Sequence, residues 1–182
     1  MIELALHILD IAENSTRAGA DLVEITVEED LARDVLVLEI KDNGCGMDEK
    51  TAERVMDPFY TTKKVRRVGL GLPMLAQAAR GTGGGFELAS RPGQGTRVTA
   101  RFGHSHIDRQ PLGDVAGAIT ALILGNPEVD FLYTHRKNGL TYVLDTREIR
   151  RELDGIPLNH REVLEAIREN IQQGIRELEE GA

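Results

Sequence analysis

The chain has 182 residues, 41% of them hydrophobic and 4% aromatic with no tryptophan, so it can bury a core of Leu, Ile, Val and Ala in one domain or one with a small appendage. A net charge of -8 excludes the basic field that non-specific nucleic-acid binding needs. Cys45 is the only cysteine, no signal peptide is recognisable and no apolar run is long enough to span a bilayer, so a cytoplasmic protein without membrane attachment is expected.

Residues 2–19 read as a helix, with Leu4, Ile8, Ile11 and Ala12 at helical spacing and Gly19 as the stop. Asp10, Asn14 and Arg17 stand at i, i+4 and i+7 and share a second face. An acid, an amide and a base in line suit a metal-bound phosphate: Asn14 as an oxygen ligand of Mg²⁺, Asp10 holding a water or hydroxyl, Arg17 meeting phosphate charge. A solvated polar face is the other reading of that stripe. His7, within a turn of Asp10, reads as its partner.

Leu22, Val23, Ile25 and Val27 mark a strand over 21–28, and Glu28-Glu29-Asp30 reads as the turn into a second strand over 34–41. Asp42-Asn43-Gly44-Cys45-Gly46-Met47 follows. Asn43-Gly44 is a turn signal, and Gly46 bares the backbone just past the strand end, where a flat ligand could approach an Asp42 carboxylate. Asp48 is an N-cap for a short helix to about Met56. Residues 57–67 lack periodicity and end in cations (Lys63, Lys64, Arg66, Arg67) just before Gly69-Leu70-Gly71-Leu72. Glycines opening a helix over 70–79 would turn free N–H groups and the positive helix end toward an anion. Two strands, 86–90 and 96–102, are joined by Pro92-Gly93-Gln94-Gly95.

Beyond residue 103 the pattern gives a helix over 111–124, a hairpin of strands near 129–134 and 140–144 around Lys137-Asn138-Gly139, and a helix over 160–180. His104-Ser105-His106 reads as a linker pair, with metal binding the minority reading. A lone hairpin is marginal in water, so this one is expected to join or cover the sheet. Pairing with its equivalent in a homodimer would serve the same end.

Four blocks in this order resemble the GHKL superfamily of ATPases, which includes DNA gyrase B, the ninety-kilodalton heat-shock chaperones, histidine kinases and MutL-type repair proteins. Asp10-Ile-Ala-Glu13-Asn14-Ser15-Thr-Arg17 is similar to the N box and Asp42-Asn-Gly44-Cys-Gly46-Met47 to the G1 box. Asp57-Pro-Phe59-Tyr60-Thr-Thr-Lys63 is similar to the histidine-kinase F box. Gly69-Leu70-Gly71-Leu, with Gly93-Gln-Gly95-Thr96 downstream, resembles the G2 box and the last strand pair.

The resemblance implies an α/β (α+β) two-layer sandwich, a mixed sheet with helices on one face (the ATP-binding Bergerat fold), over residues 1–103. A C-terminal α-β-β-α extension over 104–182 would be packed on or completing that sheet. It implies ATP and Mg²⁺ as cofactors. Asn14 matches the Mg²⁺-coordinating amide, and Asp42 the acid that receives the adenine amino group, with Thr96 supporting it through water. Gly44 and Gly46 would leave room beside the base, with Met47 next to them. Gly69, Leu70 and Gly71 match the lid hinge facing the phosphates, and Lys63 would reach them. Asp10 stands where other branches carry a Glu general base, one methylene longer, and Arg17 matches the Lys or Arg of the kinase branches. None of the five histidines sits in an acceptor-like motif, so a separate protein partner is expected. The chain would hydrolyse ATP or pass its γ-phosphate to that partner; a nucleotide-controlled binding module without catalysis is the alternative.

Overall fold

In the computed structural model, which describes residues 3–57 and 70–181, the alternating apolar segments form one mixed sheet. Its strands are β1 (Leu22–Asp30), β2 (Val35–Asp42), β3 (Gly85–Ser90), β4 (Thr96–Gly103), β5 (Asp130–Lys137) and β6 (Leu140–Asp145), in the order β3-β4-β2-β1-β5-β6. Neighbours are antiparallel except β1 and β5, which run parallel, Leu22 opposite Asp130 through Glu29 opposite Lys137. One face is apolar. Val23, Ile25 and Val27, Leu36, Leu38 and Ile40, Val98, Ala100 and Phe102, and Phe131 and Tyr133 all point into it and are buried. The opposite face carries cross-strand ion pairs, among them Lys41–Glu24 at 2.6 Å and Arg101–Glu87 at 2.6 Å, so only one side of the sheet needs a helix layer.

That layer consists of α1 (Leu4–Arg17), α3 (Gly71–Gly81), α4 (Val115–Gly125) and α6 (Arg161–Glu180). Across the sheet they follow as α3, α1, α4, α6, from the β3 side to the β6 side. Position explains composition. α4 touches helices on both flanks and reads Val-Ala-Gly-Ala-Ile-Thr-Ala-Leu-Ile-Leu-Gly, apolar almost all round. α6, at the outer end, needs only the stripe of Ile167, Ile171 and Leu178. Two short helices lie outside the layer: α2 (Glu49–Arg54), capped by the Asp48 carboxylate on the Thr51 N–H at 2.7 Å, and α5 (Thr146–Glu152).

Two local readings need correction. Glu28-Glu29-Asp30 is not the hairpin turn: β1 runs through Asp30, and residues 31–34 make the turn. Glu29 falls in the apolar register after Val27 and is buried there between two histidines. The Nε2 atoms of His135 and His104 stand 2.9 and 2.8 Å from its two oxygens. Burial opposes its ionisation, but those hydrogen bonds outweigh it and hold the carboxyl at about 2. An ionised carboxylate only accepts, so both imidazoles present Nε2–H to it. Tyr133, whose proton burial retains, stands with its Oη 2.9 Å from His135 Nδ1 and so ties that ring on its other side. The extension also carries an additional helix, α5, making it α-β-β-α-α. Its signal was the Asp145 cap, whose side chain accepts from Arg147 N–H.

The segment between β4 and α4 is tied to α1. Pro111 and Leu112 offer their carbonyls to Leu4 and Ala5 N–H at 2.9 and 2.8 Å, satisfying donors that a helix start leaves open.

Candidate functional site

The C-terminal half of α1 and the end of β2 make one cavity of about 360 Å³, within the range of small-ligand pockets. Ile11, Ile40 and Val98 give it apolar sides. At its floor Asp42 is 7% exposed and held by three protein donors. Ser15 Oγ donates to Oδ2 at 2.6 Å, while Gly44 N–H and Thr96 N–H donate to Oδ1 at 2.9 and 3.2 Å. The two carboxylate oxygens hold about four acceptor positions, so these donors leave one for a ligand. The sequence alone assigns Ser15 no role. Its signal was its place next to Asn14, one step round the helix toward the sheet.

The glycine loop after Asp42 is interlocked with the β3–β4 turn. Gly93 N–H donates to Cys45 O at 2.7 Å, and Met47 N–H to Ser90 Oγ at 2.8 Å. Gly46 is in the left-handed region at φ +65°, and a Cβ there would fall 1.9 Å from Arg91 O. Its bareness is thus used by the protein's own turn, as well as lining the cavity. Gly44 lies behind the floor, against Ala18, and acts on Asp42 through its N–H. Asn43 ties the loop to β1, its Oδ1 accepting from Asp21 and Leu22 N–H at 3.1 Å each.

Of the residues singled out in sequence, Asp10, Asn14, Arg17, Asp42, Gly46, Met47, Leu70, Gly71 and Thr96 all line this cavity. Lys63 and Gly69 lie outside the described residues. Asp10 and Ser15 stand five residues apart on α1, about 7–8 Å along its axis, so the acid wall at Asp10 and the floor at Asp42 are separate ends. Arg17 pairs with Glu13 at 2.6 Å and donates to Asn14 Oδ1 at 3.4 Å, both exposed contacts. A further role of Gly71 was not legible. A Cβ built on it would fall 1.8 Å from Asp10 Oδ2, so only glycine lets the acid of α1 meet the first turn of α3.

His7 hydrogen-bonds Gln110 rather than Asp10, although the Asp10 charge favours its protonated form. It is fully buried, with Nε2 bonded to Gln110 Oε1 at 3.1 Å and Nδ1 unpartnered, and burial lowers its pKa despite that bond. His104 turns inward to Glu29, whereas His106 stays on the surface. Among the described residues no group of three or more His, Cys, Asp or Glu is placed to hold a metal ion.

Known proteins are similar to this chain in sequence and in fold. Residues 2–106 match the family model described as histidine kinase-, DNA gyrase B- and HSP90-like ATPase, more than half of the chain. The chain belongs to that family of ATP-binding domains. It is 34% identical over 106 residues to the sensor histidine kinase YxdK of Bacillus subtilis (strain 168), covering 54% of this chain and 32% of that protein. It is 39% identical over 92 residues to the sensor protein kinase FleS of Pseudomonas aeruginosa, covering 50% and 23%. The matches thus span a third or less of those relatives' own lengths. The crystal structure of the N-terminal domain of a DNA repair protein has the same fold, with a TM-score of 0.55 at 17% identity over 80% of this chain and 53% of that one.

Proposed function

We propose that the cavity binds Mg²⁺-ATP and that the chain hydrolyses it or passes its γ-phosphoryl group to a separate protein partner. The observation that carries this reading is Asp42, nearly buried at the cavity, with three of its about four acceptor positions filled by the protein. An exocyclic amino group supplies the missing donor, which suits adenine. The residues fit the cation as well. Mg²⁺ commonly takes one or two protein oxygens and completes its shell with phosphates and water, and Asn14 offers one such oxygen on the cavity wall. When bound, the ion neutralises phosphate charge. Asp10, at the other end of α1's polar stripe, orients the attacking oxygen, and the N-terminal turn of α3 at Gly71 presents backbone N–H groups to anionic oxygens. Arg17 adds positive charge at the rim. A cytoplasmic site of action fits ATP as ligand and the free thiol of Cys45; no described helix is long and apolar enough to cross a membrane.

A second reading, a nucleotide-controlled binding module, draws on Asn43. It bonds the start of β1, against which the extension's β5 pairs, so the loop beside Asp42 and the C-terminal segment share a strand. ADP formation separates the two. Wild-type chain should convert Mg²⁺-ATP to ADP, with the γ-phosphoryl group released as phosphate or passed to its partner, and Asp10→Ala should retain nucleotide binding while losing turnover. Equal turnover in that variant would remove Asp10 from the chemistry, whereas a wild-type chain that binds nucleotide without turnover would leave the module reading.

A further inference from the structure

The geometry points to Ser90 as a positioning residue that sets base specificity from behind the cavity, a step that rests on the nucleotide reading above. Ser90, Thr96 and Asp42 lie in one transverse row, since Ser90 pairs with Thr96 across β3–β4 and Thr96 with Asp42 across β4–β2. Asp42 and Thr96 line the cavity, and Ser90 stands behind Thr96, half-buried and outside the lining.

The hydroxyl of Ser90 has three neighbours: Met47 N–H at 2.8 Å, Gly95 O at 3.0 Å and Thr96 Oγ1 at 2.9 Å. A serine hydroxyl offers one proton and two lone pairs. Met47 N–H can only donate and Gly95 O can only accept. The arrangement that uses every position sends the Ser90 proton to Gly95 O and fills both lone pairs, one with Met47 N–H and the other with the Thr96 hydroxyl proton. Sending the Ser90 proton to Thr96 instead leaves one Ser90 lone pair unfilled and Gly95 O without its 3.0 Å donor.

The consequence falls on Thr96. Its single proton is directed backward to Ser90, so Oγ1 meets the cavity with lone pairs alone. Asp42 likewise only accepts. The side chains of the base end therefore suit a base edge that donates two N–H protons, as the adenine amino group does, directly or through water. They repel the O6 carbonyl that guanine and hypoxanthine carry at the same place. Without Ser90, the Thr96 hydroxyl is free to rotate and donate to that carbonyl, and the discrimination falls.

Affinities of the full chain for ATP, GTP and ITP test this in wild type, Ser90→Ala, Ser90→Thr, Thr96→Val and the Ser90→Ala/Thr96→Val double variant. In wild type ATP should bind tightest. Ser90→Ala should narrow its lead over ITP by about tenfold, through better ITP binding more than weaker ATP binding. Ser90→Thr, which keeps the hydroxyl, should retain the wild-type preference, and Ser90→Ala should add nothing in the Thr96→Val background. An equal loss for all three nucleotides in Ser90→Ala, or an undiminished effect in the double variant, overturns the proposal and leaves Ser90 as a support for Met47. Thr96→Val keeps the backbone pairing of the row and gives a check that does not depend on Ser90→Ala folding; an unchanged preference there also overturns it. A wild-type chain that binds no ATP overturns the adenine reading itself, visible in the first titration before any variant is made.

Discussion

At the scale of single residues, the proposed chemistry divides the labour between two side chains on one face of α1, Asn14 and Asp10. Asn14 carries the only role assigned to a metal, through an oxygen now shared with Arg17 at 3.4 Å. Asn14→Ala should therefore bind nucleotide with no dependence on Mg²⁺, read by titration with and without the ion; an unchanged Mg²⁺ dependence would return Asn14 to a solvated helix face. Gly71 makes a sharper claim, because its missing Cβ is the space that Asp10 occupies. Gly71→Ala should displace the Asp10 carboxylate or the start of α3 and lower ADP formation at least tenfold, since small misplacements of a positioned group are costly in rate. Turnover equal to wild type would show that the contact does not matter. Asp10, Asn14 and Arg17 were legible because helical spacing puts them in line. The Asp10–Gly71 approach was not, as it joins residues on separate elements with no periodicity between them.

At the scale of elements, the far end of β1 is held by charge. Glu29 bonds His104 and His135, which are 75 and 106 positions away in the chain, and so joins β1, β5 and the segment after β4. Read locally, an acid after Val23, Ile25 and Val27 signals a turn. Its partners are too distant in sequence for any local pattern to show them. Glu29→Ala leaves the buried imidazole of His135 and the half-buried one of His104 without their acceptor and should destabilise the fold by about 2–4 kcal/mol, measured by denaturant unfolding at neutral pH. A loss under about 0.5 kcal/mol would mean the cluster contributes little beyond a surface pair.

The pH dependence has two windows with the same sign. The folded pKa of Glu29 is lowered from 4.5 to about 2, so its contribution is complete above 4.5 and fades as pH falls toward 2. The folded pKa of His7 is lowered from 6.5 by burial, so the unfolded chain takes up a proton first, and stability declines as pH falls below 6.5. His7→Leu should lose less stability than wild type between about pH 7.5 and 5.5. Identical losses would rule out His7 as a source of that slope.

At the scale of the whole molecule, the extension completes the sheet. The helices and hairpin after residue 103 could be placed from turn chemistry and period, Lys137-Asn138-Gly139 above all. Their docking could not, because joining the sheet, covering it and pairing with a second copy all bury the same apolar residues. The structure pairs β5 parallel to β1 over its length and lays α4 beside α1. A fragment ending at Gly103 would expose the β5-facing edge of β1 and uncover one flank of α1. It should be insoluble or unfold without cooperativity. A soluble 1–103 fragment that melts cooperatively and binds ATP as tightly as the intact chain would contradict that role for the extension.

The central claim is that Asp42 receives a base in the cavity, and calorimetric titration of the intact chain with Mg²⁺-ATP, wild type against Asp42→Asn, tests it most directly. Replacing Oδ2 with an NH₂ group sets a donor against the adenine amino group, while Gly44 and Thr96 N–H still hold Oδ1 and Ser15 Oγ turns to accept from the NH₂. Saturable one-site binding in wild type, weakened by about 1–3 kcal/mol in a variant that stays folded, is the expected result. Equal affinity in the two proteins, or no binding by wild type, would contradict it.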